Sequence, residues 1–268
     1  MGQGAGAIAR RHPFAGWVIL SLLAVGCVSP SLDVGAAPDP ASFSWLWEQG
    51  FEAASYDAAK ASANGWQYQL LQPDAERASL QVVPTPVHGG NFALHAVVPD
   101  RVSGDPSSKA MIGIKASAGG APFAFTRGTS LVVSAWYRLH ANGANIYVMD
   151  LEDSAEGNEG LRLYVSNDGT VVLNRDKLGL TPNLIGDEAG AKAPFDTWFH
   201  LEVALDLGEE GSARSRVWVD EALSFDSDAA NITPSVASYD TVQLGYTVSQ
   251  VAGELWTDDL AIGVGPWR

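Results

Sequence analysis

The chain has 268 residues, 46% of them hydrophobic, with 28 glycines and 14 prolines, which suits one sandwich-sized domain behind a processed leader. Sixteen basic against 31 acidic side chains leave a formal net charge of −15, so nucleic acid and anionic membrane surfaces are set aside as partners. Cys27 is the only cysteine, which excludes an intramolecular disulfide.

Arg10 and Arg11 precede an apolar run over residues 14–25, too short for a permanent span and ending in small residues, the layout of a secretory signal. The run closes as Leu22-Leu23-Ala24-Val25-Gly26-Cys27 and resembles the lipobox of bacterial lipoproteins. That resemblance implies a lipid anchor on Cys27 and, because Val28 rather than Asp follows, a place in the outer membrane of a bacterial envelope. The other reading is an ordinary cleaved signal with an incidental cysteine. The expected division is residues 1–26 as signal, 27–44 as a Pro-, Ala-, Ser- and Asp-rich tether without periodicity, and 45–268 as the folded domain.

Residues 45–52 read as a first strand and, after a Gly-, Asn- and Ala-containing loop, so do residues 66–71, 78–83 and 92–98, the last two separated by the turn PTPVHGGN. Further strands follow at residues 111–116, 131–140, 145–153, 160–166 and 170–175. Asn167-Asp168-Gly169 joins the last two, a hairpin signal because Asp-Gly accepts positive φ. The stretch 196–226 is the clearest. Phe199, Leu201, Val203, Leu205 and Leu207 alternate with Trp198, His200, Glu202 and Asp206, and Val217 and Val219 alternate with Arg214, Arg216, Trp218 and Asp220, so the two runs form a hairpin with one dry face. Residues 239–247 and 254–265 close the chain as strands. No segment sustains a 3.6-residue apolar period long enough for a major helix, and no fixed-period repeat is present. The expected class is all-β, an antiparallel two-sheet jelly-roll sandwich.

The opening Phe-Glu at 51–52, HGGNFALHA at 88–96, WYRL at 136–139, the run 196–207 with RVWVDEAL at 216–223, and WTDDLAIG at 256–263 together resemble the concanavalin A-like lectin/glucanase jelly rolls. That group includes laminin G-like modules and several polysaccharide lyases. The resemblance spans about residues 48–264, and it implies two curved sheets, the concave one often binding glycans.

Alternation turns Leu131, Val133, Ala135, Tyr137 and Leu139 inward and Trp136, Arg138 and His140 outward; next it turns Tyr147, Met149 and Leu151 inward and Asp150 and Glu152 outward. Leu161, Leu163 and Val165 then go inward and Arg162 and Tyr164 outward. If these strands share one sheet with the hairpin, Trp136, Arg138, Glu202, Arg216 and Trp218 line a glycan-binding face, with rings stacking on sugar C–H faces and forked charges bonding hydroxyls or acids. The alternative is a polar face whose cross-strand pairs serve stability alone. An enzyme on this face, a lyase or glycoside hydrolase, would draw on His140, Asp150, Glu152, Arg162, Tyr164 and His200. No cofactor is required. Glu52, Asp258 and Asp259 with carbonyls of residues 88–91 make a candidate Ca²⁺ site, against the reading that they bond backbone N–H groups at strand ends.

Overall fold

The structure is a computed structural model that describes residues 43–62, 65–115, 125–126, 128–154, 159–208, 213–228 and 238–264. The signal, Cys27 and residues 28–42 lie outside the described residues. In chain order the strands are β1 (Ser44–Gln49), β2 (Tyr68–Gln72), β3 (Ser79–Val83), β4 (Ala93–Val98), β5 (Ser108–Lys115), β6 (Phe125–Thr126), β7 (Ser130–Leu139), β8 (Ile146–Asp153) and β9 (Glu159–Val165). They continue with β10 (Val171–Asn174), β11 (Leu184–Ile185), β12 (Trp198–Asp206), β13 (Arg214–Val219), β14 (Ala222–Ser227), β15 (Ser238–Tyr239), β16 (Thr241–Ser249) and β17 (Gly253–Val264). Among the described residues, helix is limited to α1 (Tyr56–Lys60) and a 3-10 turn at Asp176–Leu178.

The first sheet has the order β14-β13-β12-β7-β17-β4-β3, with β1 also paired to β17; the second has the order β11-β10-β9-β8-β16-β5-β2; β6 and β15 pair separately. All pairs are antiparallel. The alternation explains the layers. Phe199, Leu201, Val203, Leu205, Val217 and Val219 of the first sheet meet Leu161, Leu163, Val165, Ile112 and Ile114 of the second in one buried core, as expected for a face-to-face sandwich.

Three expectations need correction. The strands expected in one sheet fall in two: β7, β12 and β13 belong to the first sheet and β8 and β9 to the second, so their outward side chains point away from each other across the sandwich. Tyr147 is not inward. A register shift between Tyr147 and Met149 places Ile146, Val148, Met149 and Leu151 in the core and leaves Tyr147 on the outer face. Trp218 is on the outward side of β13, as alternation requires, yet only 1% exposed, because Val132, Ala204, Phe43, Trp45 and Leu223 build a second small apolar cluster over it.

Two turns set the local geometry. In the β9–β10 connection only Gly169 takes positive φ, 86°, with Ser166 bonding Thr170, so the loop is longer than a two-residue hairpin. Asp220 and Glu221, with φ of 48° and 66°, make the tight turn into β14, a strand the sequence did not announce.

Candidate functional site

On the outer face of the second sheet one row in register crosses six strands: Tyr68, Gly113, Gln243, Asp150, Arg162 and Asn174. Asp150 is 1% exposed. Its Oδ1 accepts the Thr247 hydroxyl at 2.8 Å, and its Oδ2 accepts Arg162 Nε at 3.2 Å and Lys177 Nζ at 2.9 Å. Glu152, two residues on and on the same face, accepts Lys177 through Oε1 and Gln243 Nε2 through Oε2 at 2.6 Å. Buried carboxylates persist when such partners surround them, and here all four oxygens are engaged. Tyr164 shares the face, its ring 4.9 Å from that of Tyr147, and burial raises both phenols.

Beside this network lies a cleft of about 430 Å³ whose lining includes Tyr68, Lys109, Met111, Lys115, Glu152 and Gln243. Strand β5 supplies much of it, because Ala110, Ile112 and Ile114 enter the core and so turn Lys109, Met111 and Lys115 outward. Neither Lys109 nor Lys115 has a hydrogen bond or ion pair from its ammonium group among the described residues, whereas Arg162 and Lys177 are spent on Asp150 and Glu152. Burial lowers the pKa of Lys109, partly opposed by Asp150 and Glu152, and raises that of Tyr68, whose hydroxyl is bonded to Gln243. Sequence reasoning missed Tyr68, Lys109, Lys177 and Gln243. The alternation of SKAMIGIK was the available signal for Lys109 and Lys115; nothing local marked Lys177, which arrives from the 3-10 turn.

The other predicted residues sit on the outer face of the first sheet. One row is Trp198, Arg138, Trp256 and His95; the next is His200, Trp136 and Asp258; the third is Trp218, Glu202 and Ser134. Their surfaces are largely taken up by one another. His88 stacks on Trp136 at 3.5 Å between centroids with His200 stacked at 5.2 Å, while His95 stacks on Trp256 at 4.5 Å and the Arg138 guanidinium lies 5.4 Å from the same ring. Arg216 is paired with Asp226 at 3.2 Å. His200 is held by Ser134 Oγ at 2.7 Å, with its pKa lowered by burial. Glu202 is 5% exposed, its Oε1 has no hydrogen-bond partner among the described residues, and burial, with a smaller push from Glu221, raises its pKa to about 7. His140 pairs with Asp196 at 2.7 Å just past the end of β7. Thus Asp150, Glu152, Arg162 and Tyr164 come together, and His140, His200, Trp136, Arg138, Glu202, Arg216 and Trp218 are on the opposite side. Trp218 offers no open platform.

The expected metal ligands are otherwise engaged. Asp258 accepts the backbone N–H groups of His88 at 3.0 Å and Gly89 at 3.2 Å, Asp259 meets His88 Nδ1 at 2.8 Å, and both oxygens of Glu52 accept the Asn91 N–H at 3.0 Å. Among the described residues no group of three or more His, Cys, Asp or Glu is arranged to hold a metal ion. The three acids instead pin the loop over residues 88–91 to β17 and the end of β1, and burial raises Asp258 to about 6.

No family model and no curated protein sequence matches the chain. Solved structures do. The endo-β-1,4-glucuronan lyase of the fungus Trichoderma reesei superposes with a TM-score of 0.61 at 13% identity, over 82% of this chain and 95% of that one. The PL-14 alginate lyase of Aplysia kurodai gives 0.56 at 8% identity, over 83% and 100%, and a cellulose-induced protein gives 0.53 at 16%, over 80% and 95%. The fold is an antiparallel two-sheet jelly-roll sandwich. With identities this low the likeness speaks for the fold alone. Within such a jelly roll the core is about 10 Å thick, so one ligand cannot touch both outer faces, and the cleft with Lys109 and Lys115 lies on the second sheet.

Proposed function

We propose that the chain is a glycan-recognition protein whose cleft on the second sheet takes an acidic polysaccharide. The observation that carries this reading is the pair of unspent ammonium groups, Lys109 and Lys115, on one face of β5 in a chain with 31 acidic and only 16 basic side chains. Six residues apart, they are separated by ~20 Å along the strand, room for a run of several sugars. A carboxylate on the ligand gives Lys109 a direct ion-pair partner, where the protein offers only the more distant charges of Asp150 and Glu152. The glucuronan and alginate lyases among the fold neighbours make polymers of that kind the first to try.

A second reading is β-elimination, favoured by the lowered pKa of Lys109. The neutral amine would take the proton next to the uronate carboxyl, a C=C bond would form as the glycosidic C–O bond breaks, and a cleft tyrosine would protonate the leaving oxygen. Hydrolysis by Asp150 and Glu152 is disfavoured, because every oxygen of the pair is already bonded.

The test is affinity electrophoresis in glucuronan, alginate and a neutral β-glucan, with ultraviolet detection of unsaturated ends. Retardation by the acidic gels that Lys109→Met weakens about tenfold supports the proposal. Equal retardation by the neutral gel, with Lys109→Met unchanged, overturns it. We further propose that acylated Cys27 anchors the domain in the outer membrane, and an unchanged membrane fraction for Cys27→Ala would remove that part.

A further inference from the structure

Tyr68 of β2 stands in register with Gly113 of β5, and the two are more closely engaged than a strand pair requires. A Cβ built on Gly113 would lie 2.2 Å from Tyr68 Cζ, 2.3 Å from Cε1 and 2.6 Å from Oη. The ring therefore lies across the glycine. Its hydroxyl reaches Gln243, the register partner of Gly113 on the other side, and Gln243 Nε2 donates to Glu152 at 2.6 Å, which Lys177 holds in turn. A phenol laid over a neighbouring strand and tied at its tip has one face on backbone and the other toward the cleft that it lines. On the first sheet, by contrast, Trp136 and Trp256 have their ring neighbourhoods filled by His88, His200, His95 and Arg138.

Building on the glycan reading of this cleft, we propose that Tyr68 is its sugar-stacking platform and that Gly113 is the positioning residue that lets the ring lie flat. Pyranose C–H faces pack on an aromatic face, and the fit depends on the tilt of the ring. Gly113 has no positive φ, so alanine suits its backbone. What alanine displaces is a side chain, and the fold should stand.

The experiment is a double-mutant cycle on the full chain, with binding to glucuronan, alginate and a neutral β-glucan measured alongside the melting temperature. Tyr68→Ala and Gly113→Ala should each weaken binding roughly tenfold, by analogy with the loss of an aromatic stacking partner. Tyr68→Phe should retain most of it, and Tyr68→Ala/Gly113→Ala should bind no worse than Tyr68→Ala. Additive losses, or full binding by Tyr68→Ala, overturn the platform while leaving the Lys109 reading intact. Ring-dependent binding confined to the neutral polymer upholds the platform and sinks the acidic ligand. Absence of binding to all three polymers by the unaltered chain overturns both.

Discussion

Single side chains carry two tests of how the first sheet is built. Trp218 is 1% exposed beneath Phe43, Trp45 and Leu223, so Trp218→Ala should cost about 3–5 kcal/mol in urea unfolding, as for a core indole. Val217→Asp, one position away and in the main core, should prevent folding. Glu202 provides the second test. Its folded pKa of about 7 lies above the ordinary 4.5, so folding favours the protonated form; its contribution to stability is present below pH 4.5 and is lost as the pH rises toward 7. Glu202→Gln should therefore raise the melting temperature at pH 8 and change it little at pH 4. An equal shift at both pH values would mean that the effect is packing rather than charge. The sequence placed Glu202 and Trp218 on the correct side of their strands, but the burial of Trp218 depends on Phe43 and Trp45, more than 170 residues earlier in a stretch with no mark of that contact.

At the scale of elements, the 3-10 turn at Asp176–Leu178 exists in functional terms to deliver Lys177 to Asp150 and Glu152. Removing that ammonium leaves two buried carboxylates short of charge, so Lys177→Met should cost about 3–5 kcal/mol in denaturant. Adding Asp150→Asn and Glu152→Gln to the same variant should return most of it; if it does not, the lysine acts through packing. Strands were the legible part, since apolar alternation in β7, β9, β12 and β13 gave both their existence and their inner faces. What alternation does not encode is the hydrogen-bonded neighbour, and so one expected face became two. The bulge near Tyr147 and the positive-φ pair Asp220 and Glu221 escaped for a local reason: neither carries the glycine that normally betrays such backbone.

For the whole molecule, two sheets around one core give two chemically different exteriors. The first-sheet exterior is a closed ladder of indole, imidazole and guanidinium groups, and the second-sheet exterior holds a cleft with free ammonium groups. Composition announced the acidity of the chain but not the cationic cleft, because charge counts are blind to place. Strand β17 joins distant parts of the first sheet: β7 runs along one edge of it, and β4 and β1 share the other. Ending the chain at residue 252 should then abolish the β-rich circular dichroism spectrum and cooperative unfolding, rather than trimming an edge. A truncated chain that still melts cooperatively would show the sheet to be complete without it.

That central position also sets an order in time. The strand that bridges β7 to β4 and β1 is the last described segment to leave the ribosome, and its pairings reach back across more than 200 residues to β1. Until it emerges, the inner edges of β7 and β4 lack the partner that satisfies their amides. The first sheet therefore closes only once β17 has emerged, through long-range and intrinsically slow contacts. A nascent chain built this way stays open until β17 is out, and holding it apart from its own kind in that interval falls to whatever receives it.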